Sequence, residues 1–148
     1  MTASITFYDN WREAIARAVD LSTPPTVKVT LHTSTYSPNA ATHTVYADLT
    51  NELATANGYT NGGQNLAGHS WVQSGVVAIF DANDTVWTAS GGSITARYAV
   101  LRISGTFDGA VDPLIAYILL DTTPADVTAT DTNTLTLQWN ASGIFRIV

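Results

Sequence analysis

The side chains able to do chemistry in this sequence are few and scattered. His32, His43 and His69 could ligate a metal or carry a proton. No two of them stand at metal-ligand spacing, and no His-Glu-x-x-His occurs. Asp81, Asn83 and Asp84 form one acidic turn, and Asp108 and Asp112 fall in another. Calcium needs several oxygen ligands at close quarters. The first run lacks the later ligands, central Gly and terminal Glu of an EF-hand loop, so these residues read as turn formers. Glu13 and Glu52 are the only glutamates, so a glycosidase-type carboxylate pair would have to draw on Asp. No Gly-x-Ser-x-Gly elbow is present. Gly58 to Gly63 is Gly-rich, but no Lys follows, which does not fit a phosphate-binding loop. Zero Cys excludes a thiolate zinc site, a Cys nucleophile and a disulfide scaffold. The expectation is a chain that is not an enzyme and needs no cofactor or metal. Asn83-Asp84-Thr85 and Asn140-Ala141-Ser142 match glycosylation sequons, which carry little weight without a secretory leader.

Trp11, Trp71, Trp87 and Trp139 are the remaining candidates for a role. Exposed indoles on a sandwich can stack on sugar rings. The commoner use is in a core or a subunit interface. Trp139 follows Leu135 and Leu137 at period two, and Trp11 falls on a helical stripe.

That stripe is the one clear helical period. Ile5, Tyr8, Trp11, Ile15 and Val19 recur at spacings of three or four, predicting a helix over Ile5 to Val19. Ser4, or Asn10 with Glu13, could cap it, and Thr23-Pro24-Pro25 ends it. From Val27 the period is two, with Val27, Val29 and Leu31 alternating against Lys28, Thr30 and His32. Thr33 to Thr42 reads as a loop, and Val45 to Leu53 is ambiguous between strand and helical turn. Strands are expected at 66–73, 76–81, 86–88, 95–104, 114–121, 127–128, 135–140 and 144–148. The break at 140–143 is short enough for a hairpin joining the last two. The strands near 98–101 and 114–120 are apolar on both faces, so each should lie under a covering element.

These elements predict a mainly β protein: an antiparallel β-sandwich, jelly-roll-like, with one N-terminal α-helix packed on it. The 148 residues suggest a single domain, with the helix in 1–22 and the sandwich in 26–148. Charged residues make up 12% of the chain, about half the usual ~25%, while 45% apolar content supports a core. A net charge of −6, with one lysine at Lys28 and five scattered arginines, argues against nucleic acid as a partner. The longest apolar run, Leu114 to Leu120, is too short to span a membrane as a helix. Met1 to Asn10 lacks the basic start and apolar run of a signal peptide, so a mature cytoplasmic product is expected.

The last two-thirds of the chain resembles small structural proteins of tailed bacteriophages. The resemblance is carried by an ordered series of segments. They are Val27-Lys28-Val29-Thr30-Leu31, Asn57 to Gly63, Gly92-Ser93-Ile94, Arg97 to Leu101, Asp112 to Tyr117, Leu135 to Asn140 and Gly143 to Ile147. It implies a non-enzymatic building block of the virion and transfers no catalytic residues. The leading expectation is a capsid decoration, or cement, protein made in the host cytoplasm and placed on the capsid surface. Its partner would be the major capsid protein. Alternatives are a tail, neck or fibre-associated virion protein, or a carbohydrate- or receptor-binding module. The resemblance also implies a closed homo-oligomer, most simply a trimer. Contact candidates are whichever of Tyr36, Tyr46, Tyr59 and Trp71 the monomer exposes.

Overall fold

Alternation along the chain builds the strands, and burial on both faces of one sheet organises the rest. The computed structural model describes residues 3–16 and 26–148. The first described elements are β1 (Ser4–Phe7), α1 (Asp9–Ala16), β2 (Thr26–His32) and β3 (Gln64–Asn65). Next come β4 (Ser70–Ser74), β5 (Val77–Asp81), β6 (Thr85–Thr88), β7 (Ile94–Ala96) and β8 (Tyr98–Ser104). A small hairpin follows, β9 (Thr106–Phe107) and β10 (Ala110–Val111). The last are β11 (Leu114–Leu119), β12 (Val127–Ala129), β13 (Thr134–Leu137) and β14 (Phe145–Ile147). All pairings are antiparallel.

A five-stranded sheet in the order β1-β11-β8-β2-β3 forms one layer. Val27, Val29 and Leu31 of β2 and Ala99, Leu101 and Ile103 of β8 face inward, where all are buried. The second layer consists of β14-β5-β4, β13-β6 and β12-β7. It contributes Phe80, Trp87, Ile94, Ala96, Ala129, Leu135, Leu137 and Ile144 to the same core. Full burial of each larger aliphatic or aromatic side chain stabilises the fold by about 1.5–3 kcal/mol. The result is a two-layered, sandwich-like, mainly β arrangement with one short helix. Among the described residues no helix is long and apolar enough to cross a membrane.

The first sheet is buried on its other face too. Val100 of β8 and Leu114 of β11 join Tyr8 and Tyr36 in a second cluster, with Leu49, Tyr98 and Tyr117 packed against it. A register shift between Leu114 and Ala116 lets the consecutive Ile115 and Ala116 both serve the inner core while Leu114 serves the outer one.

Three expectations are corrected. Ser4–Phe7 is a strand, not the start of the helix: Ile5 pairs with Ile118 and Phe7 with Ala116. β-branched Ile5 and Thr6 suit an edge strand, and the ladder with β11 outweighs the helical spacing. Asn10 is no cap either, because its side-chain amide donates to the carbonyls of Thr44 and Leu114. The side chain of Ile15 and all of Val19 lie outside the described residues. Second, the single strand expected at 95–104 breaks at Arg97, where the chain leaves the β12 pairing for the main sheet. The Arg97 N–H donates to His32 and its carbonyl accepts from Leu120, fixing the corner. Third, β13 and β14 form no hairpin. The turn at 140–143 closes, with Gly143 N–H donating to Asn140, but β13 pairs with β6 and β14 with β5. Asp84 holds the Trp139 N–H and Phe80 holds that of Ile144, which splays the two strands apart.

Trp11 is 1% exposed and meets Phe145 edge-on at 5.9 Å. Trp11→Ala should therefore lower unfolding free energy by about 3–5 kcal/mol. Denaturant titration checks this; a loss of under about 1 kcal/mol, as surface changes give, would contradict the packing.

Candidate functional site

The outer face of the main sheet presents Thr30, His32, Val100 and Arg102, all buried. They are covered by the chain from residue 33 to residue 63, which holds little regular structure beyond a 3-10 turn at Tyr46–Asp48. Connections this long without elements of their own are uncommon in compact domains and usually have a job. Here the polar side chains of the connection and the sheet form two linked clusters.

Glu52 centres the first. One carboxylate oxygen accepts from the Tyr59 hydroxyl and the Gly62 N–H, both at 2.6 Å, and the other accepts from the Tyr46 hydroxyl. The Tyr59 oxygen in turn accepts the Leu31 N–H of β2 at 3.0 Å, tying the cluster to the sheet. Arg102 of β8 donates through Nη2 to the Gly62 carbonyl at 2.9 Å, and its guanidinium lies 4.1 Å from the centre of the Tyr46 ring. Its Nη1 stands 3.3 Å from an Asp112 carboxylate oxygen, and the same oxygen accepts the Gly105 N–H.

Tyr36 centres the second. Its hydroxyl is 2.9 Å from that of Tyr8 and 3.1 Å from His43 Nδ1. Its ring centre is 4.8 Å from that of the His32 imidazole and 5.8 Å from that of His43. His32 Nδ1 is 2.9 Å from the Thr50 carbonyl, which can only accept, so Nδ1 carries the proton. Neutral Nε2 then accepts from the Thr30 hydroxyl at 2.9 Å.

Glycine is required where this layer touches the sheet. Gly63 has φ +78°, and a Cβ there would come 2.2 Å from the Val29 carbonyl oxygen. The Gly-rich segment thus serves a close backbone approach.

Burial and the Glu52 hydrogen bond push the Tyr46 hydroxyl up to about 12. Burial likewise raises Tyr59 and Tyr8, so all three stay neutral donors at ordinary pH. Desolvation lowers His32, overriding the opposing pull of Thr50 and Glu52. Two hydrogen bonds from backbone N–H groups, at Thr44 and Val45, lower Asp48. The Glu52 carboxylate accepts from three donors, two on one oxygen and one on the other, and both His32 nitrogens are bonded. The chemistry of the arrangement is cross-linking by hydrogen bonds.

Of the four contact candidates, Tyr36 and Tyr59 are buried inside the chain, at 1% and 2% exposure, by these clusters. The monomer does not expose them. Tyr46 is half-buried under Arg102. Trp71 is half-buried on the second layer, 5.4 Å from Phe145 and 6.0 Å from Phe80. Trp87 is core, while Trp139 is half-buried. His32 and His43 share the Tyr36 ring, whereas His69 lies across the core beside Phe80. Among the described residues no group of three or more His, Cys, Asp or Glu could hold a metal. Asp84 and Asp112 brace the N–H groups of Trp139 and Gly105. The sequence signal for this layer was the gathering of Tyr36, His43, Tyr46, Glu52 and Tyr59 in a connection too long for a plain loop. Compared with known proteins, the chain matches no family model, no curated protein and no solved structure.

Two outcomes follow. Glu52→Ala strands three donors and should cost about 2–4 kcal/mol. Asp126→Ala, which breaks the exposed 2.7 Å pair with Arg97, should cost under about 1 kcal/mol. Chemical denaturation of both variants tests this contrast, and equal losses would contradict it.

His32 sets an acid edge. Its folded pKa lies below its ordinary 6.5, so the unfolded chain binds the proton first as pH falls. Its contribution is complete above 6.5 and is lost on going down from there to the folded pKa. The slope in that window is up to about 1.4 kcal/mol per pH unit. A His32→Asn variant should be less stable but flatter over the same window. Denaturation midpoints of the parent that stay level from neutral pH into this window would contradict the assignment.

Proposed function

We propose that this chain is a virion structural protein of the tailed-bacteriophage type, acting as a capsid decoration protein that packs on the major capsid protein. One observation carries the reading: the chain's potentially reactive groups are spent inside the molecule, while its surface offers apolar side chains with few charges. Glu52, Tyr59, Tyr36 and His32 bond to one another's elements rather than converging on a cleft. Exposed Val72, Val76, Val86, Val111 and Ile147 stand on a chain with only 12% charged residues. Such a surface packs against neighbours with little loss of ionic hydration. Many copies on a lattice give avidity from modest contacts. The segments that carry the phage resemblance also coincide with what the fold depends on. Val27 to Leu31 lies in β2, Asn57 to Gly63 contains the Tyr59 and Gly62 partners of Glu52, and Arg97 to Leu101 is the sheet-switching corner.

A second reading, a carbohydrate-binding module, is favoured by one feature. A groove of about 590 Å³ is lined by Ser4, Ile5, Gln138, Trp139 and Asn140 among others, an indole beside neutral polar groups.

Phage heads prepared without the chain should bind the purified protein in a fixed ratio and release their DNA at a higher temperature once it is bound. Binding to tails instead, or no gain in head stability, would overturn the decoration role. Glycan-array binding lost in Trp139→Ala would favour the second reading.

A further inference from the structure

Strand β4 ends the β14-β5-β4 sheet, and among the described residues no strand lies on its free side. β4 and β5 are joined by Gly75-Val76, with Ser74 facing Val77 across the turn. Gly75 has φ +62° at the first turn position, as a type II′ hairpin turn requires. The closing pair of a two-residue hairpin exchanges both of its hydrogen bonds, and bonded pairs then alternate. Ser74, Val72 and Ser70 therefore bond to β5. Trp71 and Gln73 turn their N–H and C=O groups to the free edge. Phe80, opposite Trp71, obeys the same alternation: its carbonyl points away from β4 and accepts the Ile144 N–H at 2.8 Å.

Natural edges are commonly guarded by charge, proline or a bulge. Ser70-Trp71-Val72-Gln73-Ser74 has neither charge nor proline, and its register with β5 is unbroken. The other edge of this sheet, β14, is shorter and carries Arg146.

We propose that β4 pairs antiparallel with β4 of a second copy of this chain, centred on Val72. In this register Ser70 faces Ser74 of the copy, Trp71 faces Gln73, and Val72 faces its own counterpart. The free groups of Trp71 and Gln73 then meet in bonded pairs, and the two-fold repeats the set. Any strand could supply the main-chain partners; the side chains favour a copy, because the segment reads nearly the same in both directions, with Ser70 and Ser74 alike about Val72, and carries no charge to repel its counterpart. Val72 and Ile79 pair on the outer face, so the joined sheet gains an uncharged row through Ile79, Val72 and their counterparts. On the inner face Trp71 sits beside the partner's Gln73. The groove beneath, lined by Trp71, Gln73, Val76, Val77, Ala78, Ile147 and Val148, lies on that same face. The contact is isologous and closes at two copies. It does not supply the threefold implied by the phage resemblance, and it stands whether or not the chain decorates a capsid.

Val72 is 55% exposed and the chain has no Cys, so substitutions at this position probe the edge directly. A non-bonded antiparallel pair places Cα atoms about 4.5 Å apart, within reach of a disulfide. Val72→Cys should form a disulfide-linked dimer on mild oxidation, while Val86→Cys on β6, also exposed, should not. Light scattering over a concentration series should give a dimer mass for the parent and a monomer mass for Val72→Lys, whose circular dichroism spectrum stays that of the parent. A parent that stays monomeric, a trimer indifferent to Val72→Lys, or equal cross-linking at positions 72 and 86 would each overturn the proposal.

Discussion

A carboxylate that gives up part of its hydration must find donors within the protein. Half-buried Glu52 takes three, the hydroxyls of Tyr46 and Tyr59 and the N–H of Gly62, all drawn from the same irregular stretch of chain. Tyr59 passes the link to the backbone of β2, and Gly62 passes it to Arg102 of β8. Two adjacent strands of the main sheet are thus tied to one acid. Without that tie, residues 33–63 would be a long polar connection lying over apolar side chains it has little means of covering.

The covering makes both faces of the main sheet interior. Val100 and Leu114 are buried with Tyr8 and Tyr36, and Leu49, Tyr98 and Tyr117 pack against them. The same arrangement sets the charge states of the titratable groups beneath it, while Arg102 Nε is buried without a hydrogen-bond partner. His32 is held uncharged by desolvation, the tyrosines are held protonated, and Arg102 rests on the Tyr46 ring beside Asp112. A network of this kind stabilises well when every member is satisfied and poorly when one is lost.

Much of the sheet was legible in the sequence, because period-two alternation at Val27 to Leu31 and Leu135 to Leu137 reflects a half-buried face directly. Apolar runs at 98–101 and 114–120 point to a covering element, without saying which part of the chain supplies it. The cover is the stretch from 33 to 63, whose apolar and polar residues obey no period because no regular element spaces them. Whether Tyr36 and Tyr59 are exposed is not legible for the same reason: their burial depends on partners far off in sequence, Tyr8 and Leu31. Ile5 satisfied a helical spacing by coincidence, and pairing with Ile118, which local pattern cannot reveal, decided for a strand. The turn at 140–143 is legible in Asn140 and Gly143, yet the strands it joins go to different partners, with Asp84 and Phe80 holding the N–H groups on either side of it.

The central claim is that the irregular layer belongs to the core through Glu52. Amide hydrogen exchange measured residue by residue tests it most directly. The N–H groups of Leu53, Tyr59, Gly62 and Gly63 are all bonded in the structure. They should be protected to nearly the same degree as those of β2 and β8 in the parent chain and lose that protection selectively in Glu52→Ala. Exchange of these amides at free-loop rates in the parent, beside a protected sheet, would contradict the account.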